Sequence, residues 1–319
     1  MNILSSRFLN KDIIISAAIL LCGIISFAII VGADTASTTV TVGNAAPTIS
    51  ALALDRTTVT LNENSYVWAS TSMTVTDNNG CSEITSVTAK LYFASTTNSG
   101  GTLCSVEDRG CYSSTCVATT TGTTCSTTAA QYDCGFKLWY TAMPSDSSAP
   151  DIDLKAGIWS LSATATDGTD FGTATNTTQK VEVGTLNALS LSGNIAYPQT
   201  SANSNTGATN QAITVTNTGN TPLDGEISGD VMCTTDYPTC SANKFGPSQQ
   251  KHGLSDVTFA SLTYTLAATS SPATIELVLA TTTATSTTVT DLTYWGIAIP
   301  SGQAAGAYTG QNTFTAVAD

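Results

Sequence analysis

Positive charge is scarce in this sequence: ten Lys and Arg stand against 23 Asp and Glu, a formal net charge of −13. A surface of that sign repels phosphate backbones and anionic headgroups, and no basic stretch is interleaved with aromatics. Nucleic acid is therefore not an expected partner. Charge of either sign makes up only 10% of residues, against about 25% in an ordinary soluble domain. With Glu, Lys and Arg so sparse, no long helix is expected beyond the N-terminus. Histidine occurs once, as His252, beside Lys251 in a polar stretch that reads as a solvated loop, a poor place for a general base. HExxH, GxSxG, phosphate-cradling glycine loops and CxxC pairs are all missing, which removes the usual metalloprotease, hydrolase, nucleotide and zinc signatures. Glycoside hydrolysis needs only two carboxylates. Asp151 with Asp153 on an extended segment and Asp167 with Asp170 around a turn are available, but nothing sets two of them across a cleft. The chain reads as non-enzymatic.

In place of charge the sequence is rich in Thr, Ser, Asn and Gly. Thr is β-branched and stiff at χ1, so it suits a pleated strand with one wet face. Apolar residues alternate with polar ones at Val59/Leu61, Met73/Val75, Val87/Ala89/Leu91/Phe93, Phe136/Leu138/Tyr140, Trp159/Leu161/Ala163/Ala165 and Val181/Val183. The pattern resumes at Ile213/Val215, Leu262/Tyr264/Leu266, Ile275/Leu277/Leu279, Trp295/Ile297/Ile299 and the closing Tyr308 to Val317. Period two predicts half-buried strands. Turn signals separate them: Asp77 to Gly80, Asn98 to Gly101, Pro144 to Pro150, Asp167 to Asp170 and Asn217 to Pro222. The stretch from Cys104 to Cys134 lacks alternation and reads as an excursion held by bridges.

Residues Ile13 to Val31 are nineteen apolar or small residues without a charge, preceded by Arg7 and Lys11. Both a cleaved signal peptide and a membrane anchor fit, and either places the remainder outside the cytoplasm. Apart from Cys22 in that segment, the eight cysteines form an even set in an oxidising compartment. Cys81, Cys104, Cys111, Cys116, Cys125 and Cys134 fall in the first half with their pairing open, and Cys233 with Cys240 makes an isolated pair that closes a short loop.

These readings divide the chain into a signal peptide or transmembrane anchor (1–33), a Thr/Ser-rich segment (34–45), a disulfide-rich β-sandwich domain (46–185) and a second β-sandwich domain (186–319). The stretch "NAAPTISALALD" resembles the opening of bacterial and archaeal extracellular immunoglobulin-like modules. "ITVTNTGNTPLDGEISG" is similar to the strand-turn-strand of related surface-protein modules, and "YWGIAIPSGQAAGAYTGQNTFTAVAD" shares its turn before a final strand. The resemblance implies an all-β chain of two tandem immunoglobulin-like sandwiches in a cell-surface setting. It implies no catalytic or binding residue.

Candidate sites remain. Calcium takes several oxygen ligands in a tight loop, and Asp77 with Asn79 and Asp167 with Asp170 have that chemistry, which ordinary turns also need. No other cofactor is expected. Exposed aromatics could stack on sugar rings. Of Trp68, Trp139, Trp159 and Trp295, Trp159 continues an apolar alternation, whereas Trp139 falls on the parity opposite Phe136 and Leu138 and is the candidate ligand contact. Asn176 starts the one N-glycosylation sequon, and the Thr-rich tracts 119–128 and 281–290 could carry O-linked sugars. The segment from Ala36 to Val42 alternates Thr and Val and could pair with a neighbouring sheet edge. The expected function is a structural or interaction protein of the cell surface, a component of a layer or fibre. The alternative is an adhesin or carbohydrate-binding module. Its partners would be itself, other surface proteins or glycans, and the membrane through residues 13–31 if these are retained.

Overall fold

The structure is a computed structural model that describes residues 36–94, 109–119, 125, 128–150 and 152–319. The apolar segment 13–31, Cys104 and Asp151 lie outside the described residues. Among the described residues no helix is long and apolar enough to cross a membrane. Residues 36–42 are exposed and enter no strand. Asn44–Asp319 is one compact unit, almost all strand and turn.

Its first nine strands are β1 (Thr48–Leu54), β2 (Thr58–Val59), β3 (Tyr66–Thr76), β4 (Ser86–Ala94), β5 (Cys111–Thr115), β6 (Val117–Ala118), β7 (Ala129–Trp139), β8 (Ile158–Thr166) and β9 (Phe171–Val183). They form a four-stranded sheet, β1-β3-β7-β6, and a five-stranded one, β2-β9-β8-β4-β5. Inward-facing residues from both sheets make one core, among them Ala69, Met73, Val75, Phe136 and Leu138 from the first sheet and Val87, Leu91, Trp159, Leu161 and Val181 from the second. The alternation therefore does what period two demands, with every second side chain buried and most of the intervening ones partly or fully exposed, Ser160 on β8 being an exception. Trp159 sits at the centre, fully buried, its Nε1 donating to the Met143 carbonyl at 3.1 Å. Tyr112 stacks on it and Phe93 meets it edge-on.

Part of the expected cysteine-rich excursion is strand among the described residues. β5 pairs with β4 in one sheet, β6 pairs with β7 in the other, and Cys116 stands where the chain crosses between them. Its bond to Cys134 on β7 (Cα–Cα 4.3 Å) pins that crossing. Cys81 is bonded to Cys125 with Cα atoms 5.6 Å apart, and Cys111 is also in a disulfide.

Eleven further strands follow: β10 (Leu189–Ser192), β11 (Ser204–Asn205), β12 (Gln211–Asn217), β13 (Leu223–Gly229), β14 (Met232–Cys233), β15 (Lys244–Phe245), β16 (Gln250–Gly253), β17 (Tyr264–Thr265), β18 (Ala273–Leu279), β19 (Val289–Ile299) and β20 (Asn312–Ala318). The main sheet runs β10-β12-β19-β16-β17 with β11 also on β19, and a second runs β18-β13-β20. Between them lies a second core that includes Ile213, Val215, Leu223, Ile227, Ile275, Leu277 and Trp295. The small hairpin β14-β15 carries the Cys233–Cys240 bond, Cα–Cα 5.4 Å.

The turn expected at Asn217–Pro222 joins β12 to β13 and is buried: Asn217, Thr218, Asn220 and Thr221 are covered. Asn220 joins the two sandwich-like halves, its Nδ2 donating to the carbonyls of Ala142 (2.9 Å) and Gly184 (3.0 Å) and its Oδ1 accepting from the Leu186 N–H at 2.7 Å. Thr218 donates to Glu63, and Arg109 reaches the Asn220 carbonyl. Turn chemistry is legible locally, but what packs over a turn is not. One expectation is corrected: His252, expected in a solvated loop, lies on β16 and is 2% exposed. It stacks on Trp295 (4.8 Å between centroids) and Tyr264 (5.4 Å) because β19 and β17 flank β16.

Candidate functional site

β3 and β7 form the longest antiparallel pair of the first half, in unbroken register from Tyr66↔Trp139 to Thr76↔Ala129. Because Ala69, Met73, Phe136 and Leu138 face the core, the opposite parity, Tyr66, Trp68, Gly135, Lys137 and Trp139, faces out. The register sets Tyr66 opposite Trp139, Trp68 opposite Lys137 and Ser70 opposite Gly135. Direct and diagonal neighbours on one sheet face lie within reach of long and aromatic side chains, so these residues form one surface.

Tyr66 meets Trp139 edge-on at 5.2 Å and Trp68 edge-on at 5.9 Å. The Lys137 ammonium stands 4.1 Å from the centroid of Tyr66 and 4.3 Å from that of Trp139, where the negative faces of the rings attract it. Trp68 is 55% exposed, the most exposed of the four tryptophans. Gly135 makes room for it: a β-carbon there would come 3.3 Å from the Trp68 ring. The result is an apolar patch of rings set edge-on to one another, with one cation over two of them and the Trp68 ring left exposed. Among the described residues Arg56 forms an ion pair with Asp55, whereas Lys137 offers its charge to the patch. A sugar ring can lay its C–H face on such a surface while an ammonium donates to a hydroxyl or an acidic group.

Parity singled out Trp139, which is half-buried here, and the same rule carries Trp68. What the alternation could not supply was Tyr66 and Lys137 as partners, since their meeting depends on the β3/β7 register. Trp159 and Trp295 are fully buried.

The two loops considered for calcium come to one place. Asn44 Nδ2 donates to Asp167 Oδ2 (2.9 Å) and Asp170 Oδ2 (3.0 Å), and the adjacent Ala45 N–H donates to Asn79 Oδ1 (2.7 Å). Asp167 Oδ1 accepts the Thr169 and Asp170 N–H groups at 2.7 Å each. The Asp170 N–H, then Asn44 and Thr169, hold the Asp167 carboxyl below the usual carboxylate range. Asp77 is fully buried, with Oδ1 accepting the Asn79 N–H at 2.8 Å. These oxygens fasten the chain entry to two turns. Among the described residues no three His, Cys, Asp or Glu side chains come together as a metal-holding group.

The sequon residue Asn176 bridges strands: its Nδ2 donates to the Leu52 carbonyl at 2.6 Å while Oδ1 accepts from Thr178 and Gln179. Beside it, the Gln179 amide accepts from the Leu54 N–H and donates to the Leu54 carbonyl, standing in for a strand partner of β1. As for His252, burial pushes its pKa down to about 4, so it is neutral at physiological pH and walled in by aromatic rings.

No family model matches the chain, and no curated protein matches it. Among solved structures it is similar to Escherichia coli alpha-2-macroglobulin activated by porcine elastase, at 12% identity over 86% of this chain and 22% of that one, with a TM-score of 0.19. The chain spans about a fifth of that protein's length, and a likeness so low carries no argument about fold or function.

Proposed function

We propose that this chain is a non-enzymatic secreted or cell-surface interaction protein, and that the outer face of β3 and β7 is a carbohydrate-binding platform. Three disulfides among the described residues are compatible with an oxidising, extracellular location, and the apolar N-terminal segment read from the sequence supplies the route there. The observation that carries the platform is the exposed Trp68 ring lying beside Tyr66, Trp139 and the Lys137 ammonium. Core aromatics are covered, whereas Trp68 is not. In a chain of net charge −13, a cation placed on that patch favours sugars bearing a carboxylate or sulfate over neutral ones.

A glycan array followed by calorimetry on the best oligosaccharide tests the reading. Trp68→Ala is expected to weaken binding at least tenfold while leaving the melting temperature within about 2 °C, since an exposed substitution costs within about 0.5 kcal/mol. Lys137→Gln should lose the preference for acidic sugars but keep residual binding. No binding to any glycan by the wild-type protein, or binding indifferent to Trp68, would refute the platform.

The structural reading, a subunit of a surface layer or fibre, draws on the unpaired Thr/Val segment at 36–42.

A further inference from the structure

After β10 the chain runs from Asn194 to Thr200 as a strap that enters no strand pairing and makes no backbone–backbone hydrogen bond. It is not a loose loop. Ile195 and Tyr197 face inward while Ala196 and Pro198 face out, an extended alternation. The Tyr197 hydroxyl donates to Gln250 at 2.8 Å, and Gln250, itself 2% exposed, is locked to Asn312 by a reciprocal amide pair (2.8 and 3.2 Å). Burial drives the Tyr197 pKa far up, so the hydroxyl remains a donor.

Two grooves border this strap. One, of about 340 Å³, is lined by Leu191, Ile195, Ile213, Met232 and Phe314 among others. The second, of about 810 Å³, runs between the strap and residues 303–308, with Phe245, Ile297 and Ile299 in its wall. Ile195, Tyr197 and Met232 border both. No residue lining either groove is charged, in a protein of net charge −13. An extended backbone with free N–H and C=O groups beside apolar grooves is what strand addition uses: main-chain bonds supply affinity and alternate side chains fill pockets.

The chain carries a segment that matches this requirement. Residues 36–42, Ala-Ser-Thr-Thr-Val-Thr-Val with Val40 and Val42 as its apolar members, make no hydrogen bond and enter no strand. Val40 and Val42 are 89% and 76% exposed, and, being two residues apart, they share one face of an extended chain. The segment and the strap are both uncharged, so the repulsion that keeps two copies of an acidic protein apart is weakest where they would meet.

We propose that residues 36–42 of one copy add as a strand to the 194–200 strap of a second copy, with Val40 and Val42 in its grooves. Pairing runs along residues 194–197, and Pro198, which has no N–H, ends it. Because segment and groove are different surfaces, the contact is head-to-tail and propagates into a chain of subunits.

The test uses the full chain with native disulfides, examined by sedimentation velocity over a range of concentrations. Wild-type protein is expected to associate in a concentration-dependent manner. The double variant Val40→Asp/Val42→Asp should associate at least 100-fold more weakly, as should Ala307→Arg, an exposed position in the wall of the larger groove. Near-UV circular dichroism reports that each variant keeps its fold. Mixing the two variants should restore a 1:1 dimer and nothing larger, because one retains the groove and the other the segment. Wild-type protein that stays monomeric, association unchanged in either variant, or a mixture that fails to pair would overturn the proposal. So would a monomer whose 194–200 amides are protected only when Val40 and Val42 are present, since the segment would then fill its own groove.

Discussion

The two halves of the compact unit solve the same problem by different means. Around the core from Leu52 to Val183 the chain is tied covalently: Cys81–Cys125 and Cys116–Cys134 hold the stretch that crosses between sheets. Few polar side chains are buried there. Around the core from Ile213 to Trp295 the one disulfide is confined to a small hairpin, and a set of buried polar side chains takes over. Asn217 donates to the Thr221 and Ala280 carbonyls, Asp224 accepts the Leu277 N–H, and Gln250 pairs with Asn312 and Tyr197. Satisfied polar networks specify one arrangement of strands because any other leaves buried groups unpaired. Cross-links do the same by restricting the unfolded chain. The first half should therefore be vulnerable to reduction and the second to acid.

The largest effect expected from breaking this contrast comes from Cys116→Ala/Cys134→Ala. The bond closes a loop of sequence separation 18, a constraint of about 3 kcal/mol in the chain-entropy model. Chemical denaturation should register that loss, and amide exchange should quicken in β5, β6 and β7 while β12 and β19 are unaffected. Equal quickening in both halves would show that the contrast is false.

Acid probes the other half. Folded His252 has its pKa pushed down to about 4 by burial, while an unfolded histidine titrates near 6.5. Above about pH 6.5 both states are neutral and the group has no effect. As pH falls from about 6.5 towards 4 the unfolded state takes up the proton first, so stability declines by about 2–3 kcal/mol. His252→Phe should flatten the unfolding free energy across that window, as measured by denaturant titration at each pH. A profile identical to wild type would remove His252 from the account.

A smaller effect sharpens the comparison at the junction. Asn220→Ala leaves the Ala142 and Gly184 carbonyls and the Leu186 N–H without their partner, at a cost of about 1–3 kcal/mol. Calorimetry should then resolve two transitions where the wild type gives one. A single transition at lower temperature would mean that the halves stay coupled without Asn220.

Much of the strand content was legible because alternation is a local property: Val87 to Phe93 follow it residue by residue on β4, and Leu161 to Ala165 do so on β8. Where alternation failed as a guide, the missing information lay elsewhere in the chain. Leu262/Tyr264/Leu266 reads as a strand, yet only Tyr264–Thr265 pairs, on the short edge offered by β16. Lys251 and the polar stretch around it made His252 look solvated, and the rings that cover it come from β17 and β19. Half of the candidate platform, Trp68 and Trp139, follows from parity. The other half, Tyr66 and Lys137, follows only from the register between β3 and β7, whose paired residues lie 53 or more positions apart in the chain.

The sequence by itself determined the β class, the acidic sign and the even set of cysteines beyond the apolar segment, because side-chain period, charge and composition are properties of neighbours along the chain. Which cysteines bond in the first half, the burial of the Asn217–Pro222 turn and of His252, and the gathering of Tyr66, Trp68, Lys137 and Trp139 on one face were decided by tertiary structure. Each depends on strands distant in sequence lying about 5 Å apart in a sheet, a distance that pattern alone does not encode.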